Sequence, residues 1–263
     1  ALLLFERQEM NTNVNLAAPI GVMAFLGMGF IFFIAALVLI QSLIVKKRRR
    51  AKIVLVIMLI VAGAYVAATL IFSITSQEKT LALGAEKHFC EIDCHLAYSI
   101  VNISQSKTAG NFSNQSTARG VYTIVTMKTR FDETTIGALR GNGLLYPNSR
   151  VVTLIDDRGN KYDPAVEGQR ALEAAPSGGK ALTTPLRPGE SYTTDVVFDL
   201  PPEVKSATLL VHEGEWLTYL IIGHENSLFH KKTKFQISIP PTPLAFVDYK
   251  SHRLATQIGD HWW

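Results

Sequence analysis

Residues 17–74 read AAPIGVMAFLGMGFIFFIAALVLIQSLIV, then KKRRRAK, then IVLVIMLIVAGAYVAATLIFSI. This order of apolar, basic and apolar blocks decides the architecture. The first block (17–45) and the third (53–74) contain no charged side chain. A helix needs about 20 mostly apolar residues to cross the hydrocarbon core, and each block is long enough. The expectation is a transmembrane helical hairpin over 17–74. A cleaved signal peptide would need a basic leader and a shorter apolar stretch. Here Glu6 and Glu9 come first and the apolar block is too long.

The middle block, 46–52, carries six basic side chains: Lys46, Lys47, Arg48, Arg49, Arg50 and Lys52. Lys and Arg beside a span are retained on the cytoplasmic side, so this loop is expected in the cytoplasm. The external N-terminal segment (1–16) and everything after residue 74 then face outward. In a bacterium this describes a multi-pass protein of the inner membrane with its soluble domain and both termini in the periplasm. The net charge of +4 is a topology signal: outside the loop, 20 Lys and Arg face 22 Asp and Glu. That near balance argues against a nucleic-acid surface. Neither span carries an ionisable side chain, whereas ion and proton pathways are built from them. Gly21, Ala24, Gly27 and Gly29 in the first span, and Gly63, Ala64, Ala67 and Ala68 in the second, allow close helix approach. They suit packing within the hairpin or against helices of other membrane subunits.

From residue 84 to 239 the pattern changes to alternation. Strands are expected at 96–103, 121–131, 151–155, 192–200, 207–212, 219–222 and 234–239, rich in Val, Ile, Thr, Tyr and Phe. In 121–131, Val121, Thr123, Val125, Met127, Thr129 and Phe131 share one face and Lys128 and Arg130 the other. Residues 157–160 (DRGN) form a turn, and 165–175 one short helix. About seven short strands without a convincing amphipathic helix point to a β-sandwich. The stretch TPLRPGESY (184–192), followed by VVFDLP (196–201), resembles bacterial immunoglobulin-like domains of the telokin-like type. Those domains place a leucine, x, proline, glycine, glutamate turn before a strand ending in Phe and Pro. The resemblance covers about the central hundred residues and implies a non-catalytic interaction module. Residues 240–263 open with PPTP, a stiff lead into a tail ending in Trp262 and Trp263, candidates for contact with a partner or the membrane interface.

One cluster has the residue types for chemistry: HFCEIDCH, residues 88–95, which holds both cysteines. Outside the cytoplasm Cys90 and Cys94 suit a local disulfide, provided the segment turns. Thiolates joined by His88, His95 or a distant His are also the ligand set that selects copper. Two spans, external termini and a β domain resemble the copper-bearing subunit of haem–copper oxidases, whose Cys-x-Glu-x-Cys motif has the same cysteine spacing. Here the pair opens the domain, Glu91 is off-centre and His95 follows Cys94 directly. Covalent haem c is the third reading, one residue longer than Cys-x-x-Cys-His. The polar loop 223–226 with His224, and His230 beyond it, offers remote ligands or a partner contact. The metalloprotease His-Glu-x-x-His, the Gly-x-Ser-x-Gly elbow and a phosphate loop do not occur.

The sequence therefore reads as a non-catalytic, membrane-anchored accessory subunit, without a cofactor, that braces the outer face of a larger respiratory or photosynthetic complex. The alternatives are an electron carrier with copper or haem c at Cys90, Cys94 and His95, and a surface adhesion module. The topology is testable by fusion: alkaline phosphatase joined after residue 239 should be active, and the same reporter placed within 46–52 inactive. The opposite pattern would invert the orientation.

Overall fold

The computed structural model describes residues 18–89, 95–111, 113–135, 140–174 and 179–240. Two helices come first, α1 (Ala18–Ile44) and α2 (Arg48–Thr75), joined by a tight turn in which Lys46 takes a left-handed φ of 57°. Both are long and apolar enough to cross a membrane. Phe30, Phe33, Leu59 and Ile60 point outward and are exposed, the reverse of a helix from a soluble core. The basic block is not a seven-residue loop. Arg48, Arg49, Arg50 and Lys52 lie in the first turns of α2, because Arg and Lys are good helix formers whose long stems carry the charge away from the apolar body.

Nine strands follow among the described residues: β1 (Lys79–Leu81), β2 (Lys87–Phe89), β3 (Leu96–Ala109), β4 (Ser116–Phe131), β5 (Arg150–Asp156), β6 (Lys161–Tyr162), β7 (Ser191–Leu200), β8 (Ser206–Glu213) and β9 (Thr233–Ser238). They form two sheets, β1-β9-β8-β5-β6 and β2-β3-β4-β7. Tyr98, Val125, Met127, Phe131 and Phe198 of one sheet pack against Leu154, Leu209, Val211, Phe235 and Ile237 of the other. Two sheets closed over one apolar core make a β-sandwich. On the outer face of the second sheet, α3 (Val166–Glu173) covers Tyr122 and Val197 through Ala171.

The expected inward face of β4 is observed: Val125, Met127, Thr129 and Phe131 are fully buried, with Lys128 and Arg130 on the other side. The turn at 157–160 is also observed. Asp156 accepts hydrogen bonds from the Arg158 and Asn160 amides, the Asn160 side chain and the Tyr162 hydroxyl, and Gly159 takes a φ of 83°. Three expectations change. The sheet begins at Lys79, ahead of residue 84, because β1 runs parallel to β9 and carries the chain directly from α2 into the sandwich. Strands β1 and β2 are three residues each, too short to show alternation. Residues 219–222 are not a strand: Trp216–Leu220 forms a 3-10 turn in the long β8–β9 loop, and among the described residues no strand pairs with it.

Phe235 is fully buried at the centre of the core. Phe235→Ala should cost about 3–5 kcal/mol, the range for truncating a buried aromatic, measured by denaturant unfolding of the detergent-solubilised chain. A cost below about 1 kcal/mol would contradict this core assignment.

Candidate functional site

The functional geometry gathers at the β8–β9 loop. Lys87, alone among the lysines in being 0% exposed among the described residues, points inward from β2. Its Nζ donates to the Val211 carbonyl of β8 (2.8 Å) and the Thr233 carbonyl of β9 (3.0 Å), and pairs with Glu225 Oε2 at 2.7 Å. An ammonium has three protons to donate, and all three are used. The Thr233 amide donates to the other Glu225 oxygen, so this carboxylate joins the loop to both sheets. Burial pushes the Lys87 ammonium below its ordinary value, and the Glu225 charge works against that shift.

A second pair lies beside the first. The Arg150 side chain is completely buried, with Nη1 3.4 Å from Glu213 Oε1. Phe89 lies between the two cations, its ring 4.9 Å from Lys87 Nζ and 4.3 Å from Arg150 Cζ, where the ring face attracts both. The His224 Nδ1 accepts from the Asn226 amide, which leaves Nε2 to carry the proton toward Glu213 Oε2, 3.3 Å away. The Asn226 side-chain amide donates to the Glu213 carbonyl and to Thr218 Oγ1. Two cations and two carboxylates thus balance within one buried cluster, and the Lys87 protons are committed to bonds. The arrangement holds a loop in place.

The same loop meets the helices. Tyr65 of α2 donates to the Leu220 carbonyl at 2.7 Å. A Cβ on Gly21 of α1 would lie 2.5 Å from the Ile222 carbonyl oxygen, so glycine is what permits this approach. Beyond the end of α2, Ser76 Oγ accepts from the Lys231 amide (2.8 Å) and donates to the Ser73 carbonyl (2.6 Å). Glu78 pairs with Lys234 at 2.8 Å. Sandwich and hairpin are therefore joined through one loop and one linker.

Among the described residues the sequence-predicted histidines fall in two places, His88 and His95 around Asp132 and His224 and His230 in the β8–β9 loop. Cys90 and Cys94 lie outside the described residues, as do Trp262 and Trp263. His88 Nε2 bonds Asp132 Oδ2 at 3.3 Å, next to a two-pronged Arg130–Glu86 pair of 2.8 and 2.7 Å. Burial alone would raise the Asp132 carboxyl. Hydrogen bonds from the Thr134 hydroxyl and amide, then from His88 and Arg130, outweigh it and hold Asp132 at about 2. His95 stacks on Phe131 at 5.1 Å. His224 serves the loop lock. His230 bonds the Lys231 carbonyl, and burial pushes it below its ordinary value. Among the described residues no group of three or more His, Cys, Asp or Glu is arranged to hold a metal ion. Lys87, Arg150 and Glu213 were missed by sequence reasoning, since nothing in KHF or LLVHE marks a charge as buried. The loop's GHEN was singled out, as a polar segment between strand candidates.

Two outcomes follow. Lys87→Met should destabilise the domain by about 3–5 kcal/mol by leaving Glu225 buried without its cation, and adding Glu225→Gln should recover much of the loss. A double-mutant cycle by chemical unfolding checks this; additive losses would mean the pair is not coupled. Asp132, ordinarily at 3.8 and about 2 when folded, contributes about 2 kcal/mol above its unfolded value, and this is lost as pH falls from about 4 to 2. Asp132→Asn should flatten that part of the stability curve.

No family model matches the chain, and no curated protein matches it. Three solved structures are similar in part. A secreted protein from Mycobacterium tuberculosis, MPT63, is 12% identical, covering 61% of this chain and 98% of its own, with a TM-score of 0.39. An uncharacterised β-sandwich protein from Clostridium difficile is 14% identical over 62% and 95%, with a TM-score of 0.35. A conserved hypothetical protein from Bacillus anthracis is 14% identical over 50% and 88%, with a TM-score of 0.37.

Proposed function

We propose that this chain is a non-catalytic, membrane-anchored subunit of a larger bacterial membrane complex. Its hairpin spans the inner membrane with the basic turn in the cytoplasm, and its sandwich, of the immunoglobulin-like telokin type, stands on the periplasmic face. The observation that carries the reading is the joint between hairpin and sandwich. Tyr65 and Gly21 of the helices, and Ser76 after them, meet a loop held by the buried Lys87–Glu225 pair and by His224 on Glu213 of β8. A tether for a freely swinging enzyme or carrier needs no such joint; a brace does. Partner helices are favoured by the small residues. The sites where a Cβ would stand on Gly27, Gly29 and Gly63 have no neighbour within 4 Å, so the hairpin does not use them for its own packing. In lipid, helices associate through such faces because close packing replaces the hydrophobic drive. A respiratory or photosynthetic complex suits this topology.

The second reading, an electron carrier with copper or haem c at Cys90, Cys94 and His95, is favoured by one observation. The His88 Nδ1 is buried without a hydrogen-bond partner among the described residues. It requires visible absorption that responds to reductant, and a colourless, metal-free protein from its own membranes would remove it.

Mild detergent extraction from native membranes should recover the wild-type chain in a particle larger than itself. Gly27→Leu with Gly63→Leu should release it as a folded, membrane-bound single chain. Wild-type protein running alone on native mass spectrometry would sink the subunit reading.

A further inference from the structure

The β8–β9 loop carries apolar side chains that its joint with the helices leaves exposed. Trp216 is 67% exposed, and Leu217, Tyr219, Leu220 and Leu228 are exposed with it. Phe229 is 70% exposed and takes a left-handed φ of 64°, a costly conformation for a bulky side chain. The turn that imposes it is held by the His230 amide on the Ser227 carbonyl. Strain that turns an aromatic ring outward has no use in water, where the ring gains nothing.

The helices fix the level at which this surface lies. Tyr65, which holds Leu220, is ten residues before the end of α2 at Thr75, or ~15 Å along the axis at 1.5 Å per residue. Gly21, against Ile222, is three residues from the start of α1, ~5 Å along the axis. The apolar block of α2 ends at Ile74, so the outer edge of a hydrocarbon core about 30 Å thick falls close to its end. Residues 220–222 of the loop therefore lie about 5–15 Å below the helix ends, which includes the roughly 5–10 Å to which interfacial segments bury their apolar face. Charge changes at the right height. Lys231 is bonded through its amide to Ser76, just past the end of α2. Beside it a cleft of about 380 Å³ is lined by Lys161, Lys232, Lys234, His212 and His230, against the single carboxylate of Glu78.

We propose that the β8–β9 loop is a third attachment to the membrane, its apolar crown set in the outer leaflet and its basic root at the level of anionic headgroup phosphates. Lipid is the occupant because the crown is continuous with the lipid-facing sides of α1 and α2, and because the cations stand where phosphates would be. The proposal rests on the hairpin spanning the membrane, and its test separates the two.

The full chain with Trp262→Phe and Trp263→Phe leaves Trp216 as the sole tryptophan. It is reconstituted in vesicles of phosphatidylcholine, alone or with phosphatidylglycerol, with bromines at shallow or deep acyl carbons. Trp216 should lose most of its emission to shallow bromines, less to deep ones, and little to aqueous iodide. Phosphatidylglycerol should strengthen the bromine quenching. Iodide quenching without bromine quenching, in a chain that resists alkaline carbonate, would overturn the loop proposal and leave the hairpin standing. A chain washed off by carbonate would overturn both. Protection from both quenchers would mean that protein, another subunit or a second copy, covers the crown, which also overturns the lipid assignment. Equal quenching with and without phosphatidylglycerol would remove the anionic-headgroup part.

Discussion

One buried ammonium organises the junction between the sandwich and the rest of the chain. Removing a lysine from water costs several kcal/mol unless every proton finds an acceptor and a counter-charge is at hand. Lys87 meets both conditions only if β8 and β9 present the Val211 and Thr233 carbonyls together and the loop between them returns Glu225. The requirement runs in the other direction as well. The long loop after β8 has little regular structure of its own, and Glu225 is its fixed point, held by Lys87, while Glu213 at the end of β8, paired with Arg150 of β5, receives His224. With these in place Asn226 and His224 set the turn, and the loop presents Leu220 and Ile222 to the helices.

The hairpin and the sandwich place their large apolar side chains differently, and the loop lies between them. Helices α1 and α2, long and apolar enough to cross a membrane, turn their large side chains outward. The sandwich buries its aromatics inward and keeps Lys128 and Arg130 on the far face of β4. Between them lie Tyr65 and Ser76, polar groups whose bonds go to loop backbone. Direct continuation of α2 into β1, paired in parallel with β9, closes the joint from the other side.

Much of this was legible in the sequence, for identifiable reasons. Two uncharged blocks around KKRRRAK are a composition signal that survives any local detail. Strand β4 repeats its alternation over more than ten residues, and the Asp156 turn has glycine where a positive φ is needed. Strands β1 and β2 were not legible, since three residues show no period, and β1 pairs with β9, remote in sequence. The run WLTYLII reads as a strand by composition; tertiary context decides otherwise, because helices and not a neighbouring strand receive it. The buried charges were the least visible. A lysine next to a histidine looks like any exposed strand residue until the fold brings Glu225, well over a hundred positions away, to within 2.7 Å. The histidines attracted attention as ligands, and His88 and His224 each turn Nε2 to a carboxylate.

The central claim is that the buried Lys87–Glu225 pair holds the β8–β9 loop rigid and thereby fixes the sandwich on its hairpin. Amide hydrogen exchange of the full chain in lipid nanodiscs, read by mass spectrometry over 214–233, tests it most directly. The amides of Asn226, Lys231 and Thr233, bonded to His224, Ser76 and Glu225, should exchange nearly as slowly as the core strands. In Lys87→Met that protection should vanish while β4 and β7 keep theirs. A loop that exchanges freely in the unaltered chain, or one indifferent to Lys87, would contradict the account.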